Sequence, residues 1–152
     1  MAATMDEIRK LREETGAGVM DAKKALEESK GDMKAAKAWI AKKGLDRAEK
    51  KADREASNGV VYAYVHHNSR SGALVELACE TDFVARTDDF VALAKEIAMQ
   101  VTSNAPEKVG ELLAAPYNRD PKKTMEQLIK ETSGKLGEKI ELKRFVRYGL
   151  GE

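Results

Sequence analysis

The strongest constraint on this chain is a hairpin written into its middle. After Asn58-Gly59, the run VVYAYVHH (60–67) is β-branched and aromatic, NSRSG (68–72) is turn chemistry, and ALVELAC (73–79) resumes strand character. Two such runs around a short turn pair antiparallel. Alternation then puts Val61, Ala63, Val65 and His67 on one side and Val60, Tyr62, Tyr64 and His66 on the other. Downstream, Thr87 is placed to cap a helix in which Phe90, Ala94, Ile97 and Val101 repeat at helical intervals. Asp88 and Asp89 fall in its first turn, where the helix dipole favours negative charge. Pro106 and Pro116 bracket a short helical stretch around Leu112 and Leu113. Asp120-Pro121 reads as a helix start, a cap followed by proline, leading into Met125, Leu128, Ile129 and Thr132. KIELKRFVRYG (139–149) supplies a third strand. A hairpin, helices and a returning strand predict an α+β unit over 58–152, with a small three-stranded antiparallel sheet packed with helices.

The first third reads differently. Thr4 and Glu7 have capping-box spacing, and Met5, Ile8 and Leu11 follow at steps of three on one helical face. TGAG (15–18) breaks that helix. A second helix turns Val19, Ala22, Ala25 and Leu26 inward and stops at Gly31. Asp32 caps a third, carrying Met33, Ala36 and Ile40 before Gly44 ends it. Residues 1–44 therefore predict a small three-helix bundle, whose core is too slight to house chemistry and suits recognition. LDRAEKKADREAS (45–57) has high helix propensity but few apolar residues, which predicts a solvated connecting helix.

Composition narrows the function classes. Lys and Arg total 27 against 26 Asp and Glu, a formal net charge of +1. This balance gives no field for polyanions, so direct nucleic-acid binding is not expected. One cysteine, Cys79, excludes an internal disulfide framework and fits a reducing compartment. No apolar run approaches the ~20 residues of a membrane span. The start, MAATMDEIRKLREE, has the marks of neither a signal nor a transit peptide, so a cytoplasmic protein is expected.

Candidate chemistry is sparse. His66, His67, Cys79, Asp82, Asp88 and Asp89 carry metal-binding groups, but adjacent histidines on a strand face opposite ways and zinc spacing is missing. TDFVARTDDF lacks the alternating acids and central glycine of a calcium loop. Cys79 in a buried strand is inert as a nucleophile, and TGAG lacks the Gly-Lys-Ser/Thr ending of a phosphate loop. No metal, cofactor or enzymatic reaction is expected. Two places stand out instead. Val19 and Met20 are successive bulky apolar residues about 100° apart on a helix, so one of them either packs in the core or meets a partner. Glu80-Thr81-Asp82-Phe83-Val84-Ala85 lies between a strand and a helix. Either Phe83 and Val84 enter the core with Thr81 or Asp82 as a cap, or Phe83 projects as an aromatic wedge beside a carboxylate.

EIRKLREETGAGVMDAKKALEESKGDMKAA (7–36) resembles the amino-terminal module of the elongation factor Ts family, and ETDFVARTDDF (80–90) resembles that family's TDFVA segment. KIELKRFVRY (139–148) resembles its closing strand. The resemblance implies a UBA-like helical module and a non-enzymatic guanine-nucleotide exchange factor for elongation factor Tu, working in translation elongation. It implies that Val19 and Met20 contact the GTPase's nucleotide domain. It implies that Thr81, Asp82, Phe83 and Val84 displace the nucleotide-bound magnesium, with Phe83 as wedge and Asp82 as its polar companion. Longer members carry a duplicated sheet unit; room for one here implies a homodimer, and leaves open whether His66 or His67 meets the partner.

Overall fold

A computed structural model describes residues 2–152. Its first helix, α1 (Met5–Thr15), starts where the sequence asks: Thr4 Oγ1 accepts from the Glu7 amide at 3.2 Å while the Glu7 carboxylate accepts from the Thr4 amide at 2.8 Å. Gly16, at φ 72°, closes α1 in the left-handed region that glycine enters without strain. Next come α2 (Val19–Glu28) and α3 (Met33–Lys50), the latter capped by Asp32, which accepts from the amides of Lys34 and Ala35. Ile8, Leu11, Ala22, Ala25, Leu26 and Ala36 form the buried cluster among these helices. Met5 does not join them: it occupies the first position of α1, beyond the edge of the cluster, and is exposed.

Gly44 does not end α3, which continues to Lys50, so no separate connecting helix spans 45–57: its first six residues belong to α3 and the rest is not helical. The reason is a helix crossing. Gly44 meets Gly134 on α7 (Met125–Leu136), where a Cβ added to Gly134 would lie 2.5 Å from the Gly44 Cα. Two facing glycines let the backbones touch, and that packing outweighs the modest cost of glycine inside a helix. The first module is thereby joined to the rest of the molecule through α3 and α7.

The sheet has the order β1-β2-β5, antiparallel throughout: β1 (Asn58–Val65), β2 (Ser71–Cys79) and β5 (Glu141–Gly149). Val60 pairs with Leu77 and Tyr62 with Val75, and of the two rows that alternation separates this one faces the core. Against that row lie α4 (Asp82–Ala85), α5 (Asp88–Asn104) and α6 (Val109–Ala114), with Phe90, Leu93, Ile97 and Val101 of α5 and Leu112 of α6 buried. The opposite face is bare: Val61, Val65, Leu74, Val146 and Tyr148 are exposed together.

Asp120-Pro121 does not start a helix. Residues Asp120–Thr124 form β4, paired with β3 (Pro116–Tyr117), and α7 begins at Met125. α5 holds the hairpin in place, since Gln100 donates to the Pro116 carbonyl and accepts from the Asn118 amide, and Tyr117 donates to Glu96. Thr124 and Gln127 supply the reciprocal capping box that starts α7 instead. Proline's missing N–H is tolerated in so short an edge strand. Among the described residues, no helix is long and apolar enough to cross a membrane.

Candidate functional site

A cleft of about 710 Å³ lies between the TGAG turn and α7, lined by Gly16, Gly18, Lys43, Arg47, Lys123 and Lys135 among others. Its charges are largely matched. Lys37 pairs with Glu14, Arg47 holds Asp21 through two hydrogen bonds of 2.7 and 3.0 Å, and Lys123 pairs with Glu131 at 2.8 Å. The Arg47 hydrogen bonds hold the Asp21 carboxyl below its ordinary pKa. This is a seam of ion pairs rather than an anion site, and TGAG within it is an interhelical turn. Among the described residues, no group of three His, Cys, Asp or Glu side chains converges as a metal would require.

The two histidines correct the strand argument made for them. β1 ends at Val65, so His66 and His67 lie in the turn beyond it, their rings 4.2 Å apart rather than on opposite faces. Tyr64 Oη and His66 Nδ1 are 2.9 Å apart, and His67 is the more exposed of the pair.

Two apolar side chains project from ordered backbone. Gly18 leads the chain into α2, and Val19 and Met20 occupy its first turn while Ala22, Ala25 and Leu26 take the buried side. Met20 is 76% exposed and Val19 is also exposed. Its flexible thioether thus lies outside a cluster made mostly of alanine and leucine.

The second projection is α4, a single helical turn. Thr81 caps it, its Oγ1 accepting from the Val84 amide at 3.3 Å. Within that turn the two readings of the TDFV run separate by residue. Val84 and Ala85 are buried in the main core, whereas Phe83 is 77% exposed. Asp82 is also outside, 2.8 Å from Arg86 one turn on. So Val84 roots the turn, and Phe83 with Asp82 forms its outer surface.

What fixes the turn comes from residues outside it, chief among them one that sequence reading passed over. Glu138, between α7 and β5, accepts through Oε1 from the Glu80 amide (3.1 Å) and the Thr81 amide (2.9 Å), and through Oε2 from the Thr81 hydroxyl (2.7 Å). Asn58 Nδ2 donates to the Glu80 carbonyl at 2.9 Å, and the Cys79 thiol donates to the Thr81 carbonyl at 3.1 Å. Burial pushes the Cys79 pKa up, with the charge of Glu138 adding to it, so the thiol stays protonated at neutral pH and serves as a donor. No local motif announces Glu138, which lies 57 residues from Thr81.

Comparison with known proteins gives these surfaces a family. The family model described as Elongation factor TS matches residues 80–151, a span that begins with the α4 segment and includes β5. Elongation factor Ts of Coprothermobacter proteolyticus is 43% identical, with 95% of this chain and 96% of the relative aligned. That of Moorella thermoacetica is 40% identical, covering 100% of this chain and 97% of the relative. Both alignments run over more positions than this chain has residues, 190 and 197, so each relative carries segments that it lacks. Elongation factor Ts of Aquifex aeolicus is 46% identical over 97% of this chain, which spans 53% of that longer relative. With full-length relatives at this identity, the chain belongs to the elongation factor Ts family.

Proposed function

We propose that this protein is a guanine-nucleotide exchange factor for elongation factor Tu, acting in the cytoplasm without cofactor, metal or direct nucleic-acid contact. The observation that carries the reading is Phe83, an exposed aromatic on a turn whose next two residues are sunk in the core. An aromatic held out of its own core on a rigid support has the make-up of an interface anchor. In this reading residues 1–44 reach the GTPase's nucleotide domain through Val19 and Met20, 45–57 connect, and 58–152 carry the Thr81–Val84 segment. Phe83 enters beside the bound nucleotide, Asp82 offers its carboxylate to the polar groups there, and Thr81 and Val84 hold the turn.

The mechanism is linkage. Magnesium neutralises the terminal phosphates of GDP, so a wedge that shifts its ligands raises the energy of bound GDP without touching the base. Whatever factor this protein takes from GDP affinity, GDP must take from the protein's own. Each molecule leaves when GTP rebinds, so small amounts should turn over many GTPases. Release of labelled GDP at substoichiometric protein tests this directly, and unchanged release at saturating protein would leave only a passive adaptor.

The bare sheet face supports a second element of the reading, a homodimer. Val61, Val65, Leu74, Val146 and Tyr148 form an apolar surface that is left exposed among the described residues. A symmetric pair would bury this face twice. Light scattering at micromolar concentration should report about twice the chain's 16.7 kDa; a clean monomer that still exchanges nucleotide would show that one sheet unit suffices.

A further inference from the structure

We infer that Glu138 is a positioning residue for nucleotide exchange, holding the Phe83 turn in its projecting geometry; the inference rests on the exchange reading given above. The turn α4 is only Asp82–Ala85, too short to keep its own shape. Its single side-chain cap is the Thr81 hydroxyl, and that hydroxyl works in both directions. It accepts from the Val84 amide and donates to Glu138 Oε2. The carboxylate thus sets the orientation of the group that starts the turn. Its other oxygen takes the two preceding amides, Glu80 and Thr81, so three consecutive donors end on one side chain. The clamp is returned, since the Glu80 carboxylate accepts from the Lys139 amide at 3.3 Å.

Glu138 is itself well anchored. Its carbonyl accepts from the Ser133 hydroxyl on α7, the helix that crosses α3 at Gly134. One helix therefore braces the turn that carries Phe83 and seats the module that carries Met20. A carboxylate accepting several amides makes stronger hydrogen bonds than a neutral group would. The consequence for function is preorganisation: a wedge already in place loses less conformational freedom on docking. Removing the brace should leave binding through Met20 largely intact and weaken what Phe83 does after binding.

The test compares wild type, E138A, E138Q, F83A and the E138A/F83A double variant in titrations against GDP-loaded elongation factor Tu. Glutamine keeps an oxygen for both amides, and its NH2 reaches the Thr81 hydroxyl. E138A should lower the saturating rate of GDP release about tenfold, the scale of one lost charge-assisted interaction. Its half-saturating concentration should stay close to that of wild type. E138Q should restore most of the rate, and E138A should add little once Phe83 is gone. In the isolated chain, amide hydrogen exchange should speed up over 80–85 in E138A while the α5 amides stay protected, which separates a loosened turn from a loosened core. Wild-type release by E138A, full additivity with F83A, or unchanged amides over 80–85 would each overturn the positioning role. A wild-type chain that leaves GDP release unchanged would overturn the exchange reading, and this role with it.

Discussion

The helical cluster around Leu11 and the sheet core around Phe90 use similar residues to different ends. The first packs short helices through Ala22, Ala25 and Ala36, and is tied by the Asp21–Arg47 pair and by Trp39 donating to Glu28 at 2.6 Å. The second closes a sheet over larger side chains, Phe90, Leu77, Ile97 and Met125 among them. Each leaves apolar side chains outside, and Met20 and Phe83 are among the most exposed of them. Met20 projects from a helix in the small cluster, while Phe83 projects from a single turn nailed to the large one. The difference teaches where each exposed side chain gets its rigidity: Met20 from the fold of its module, Phe83 largely from hydrogen bonds made by residues far along the chain.

The largest effect should come from the cores. Phe90 is fully buried, so Phe90→Ala should cost ~3–5 kcal/mol and lower the unfolding midpoint of the whole chain. Leu11→Ala should cost ~2–5 kcal/mol, but locally. Hydrogen exchange should show the first three helices losing protection while β2 keeps it. If β2 loosens equally, the α3–α7 crossing makes the two clusters one cooperative unit. Gly134→Ala probes that crossing: overpacking it should cost ~1–3 kcal/mol, and α3 should move away from α7, as small-angle scattering would detect.

Met20→Asp should come next, weakening the complex with elongation factor Tu by ~1–3 kcal/mol in calorimetry while circular dichroism stays unchanged. Unfolding of the variant would return Met20 to the core and remove it as a contact.

How much of this was legible depended on range. Caps at Thr4, Asp32 and Thr87 were readable because donor and acceptor lie within three residues. The three-stranded sheet was readable because its inward row alternates cleanly. What escaped was non-local. Gly44 looks like a helix stop until Gly134 is seen across from it, and Asp120-Pro121 looks like a helix start until Gln100 is seen holding the hairpin. The TDFV run was the instructive case. Val84 is buried and Phe83 is exposed, and only the tertiary placement of α4 separates the two neighbours.

The smallest effect is electrostatic. The Arg47 hydrogen bonds hold the Asp21 carboxyl below its ordinary pKa, so the unfolded chain takes up that proton more readily than the folded one. The pair's contribution is therefore fully present above about pH 4, the ordinary range, and is lost as pH falls through the lower folded value. On acidification the first module should lose protection before the sheet core, and Asp21→Asn should remove the part of that dependence that belongs to this pair. An acid profile unchanged by the substitution would show that the ion pair does not hold α2 to α3.

The central claim is that Phe83 acts on a partner and not on this fold, and GDP release by Phe83→Ala beside its melting curve tests it most directly. The account predicts a sharp loss of exchange activity with an unchanged melting temperature, and a milder loss for Asp82→Ala, whose carboxylate stays partly solvated. Chelating magnesium should speed release from elongation factor Tu alone and shrink the benefit that this protein adds. A Phe83→Ala variant that melts like wild type and exchanges like wild type would contradict the account.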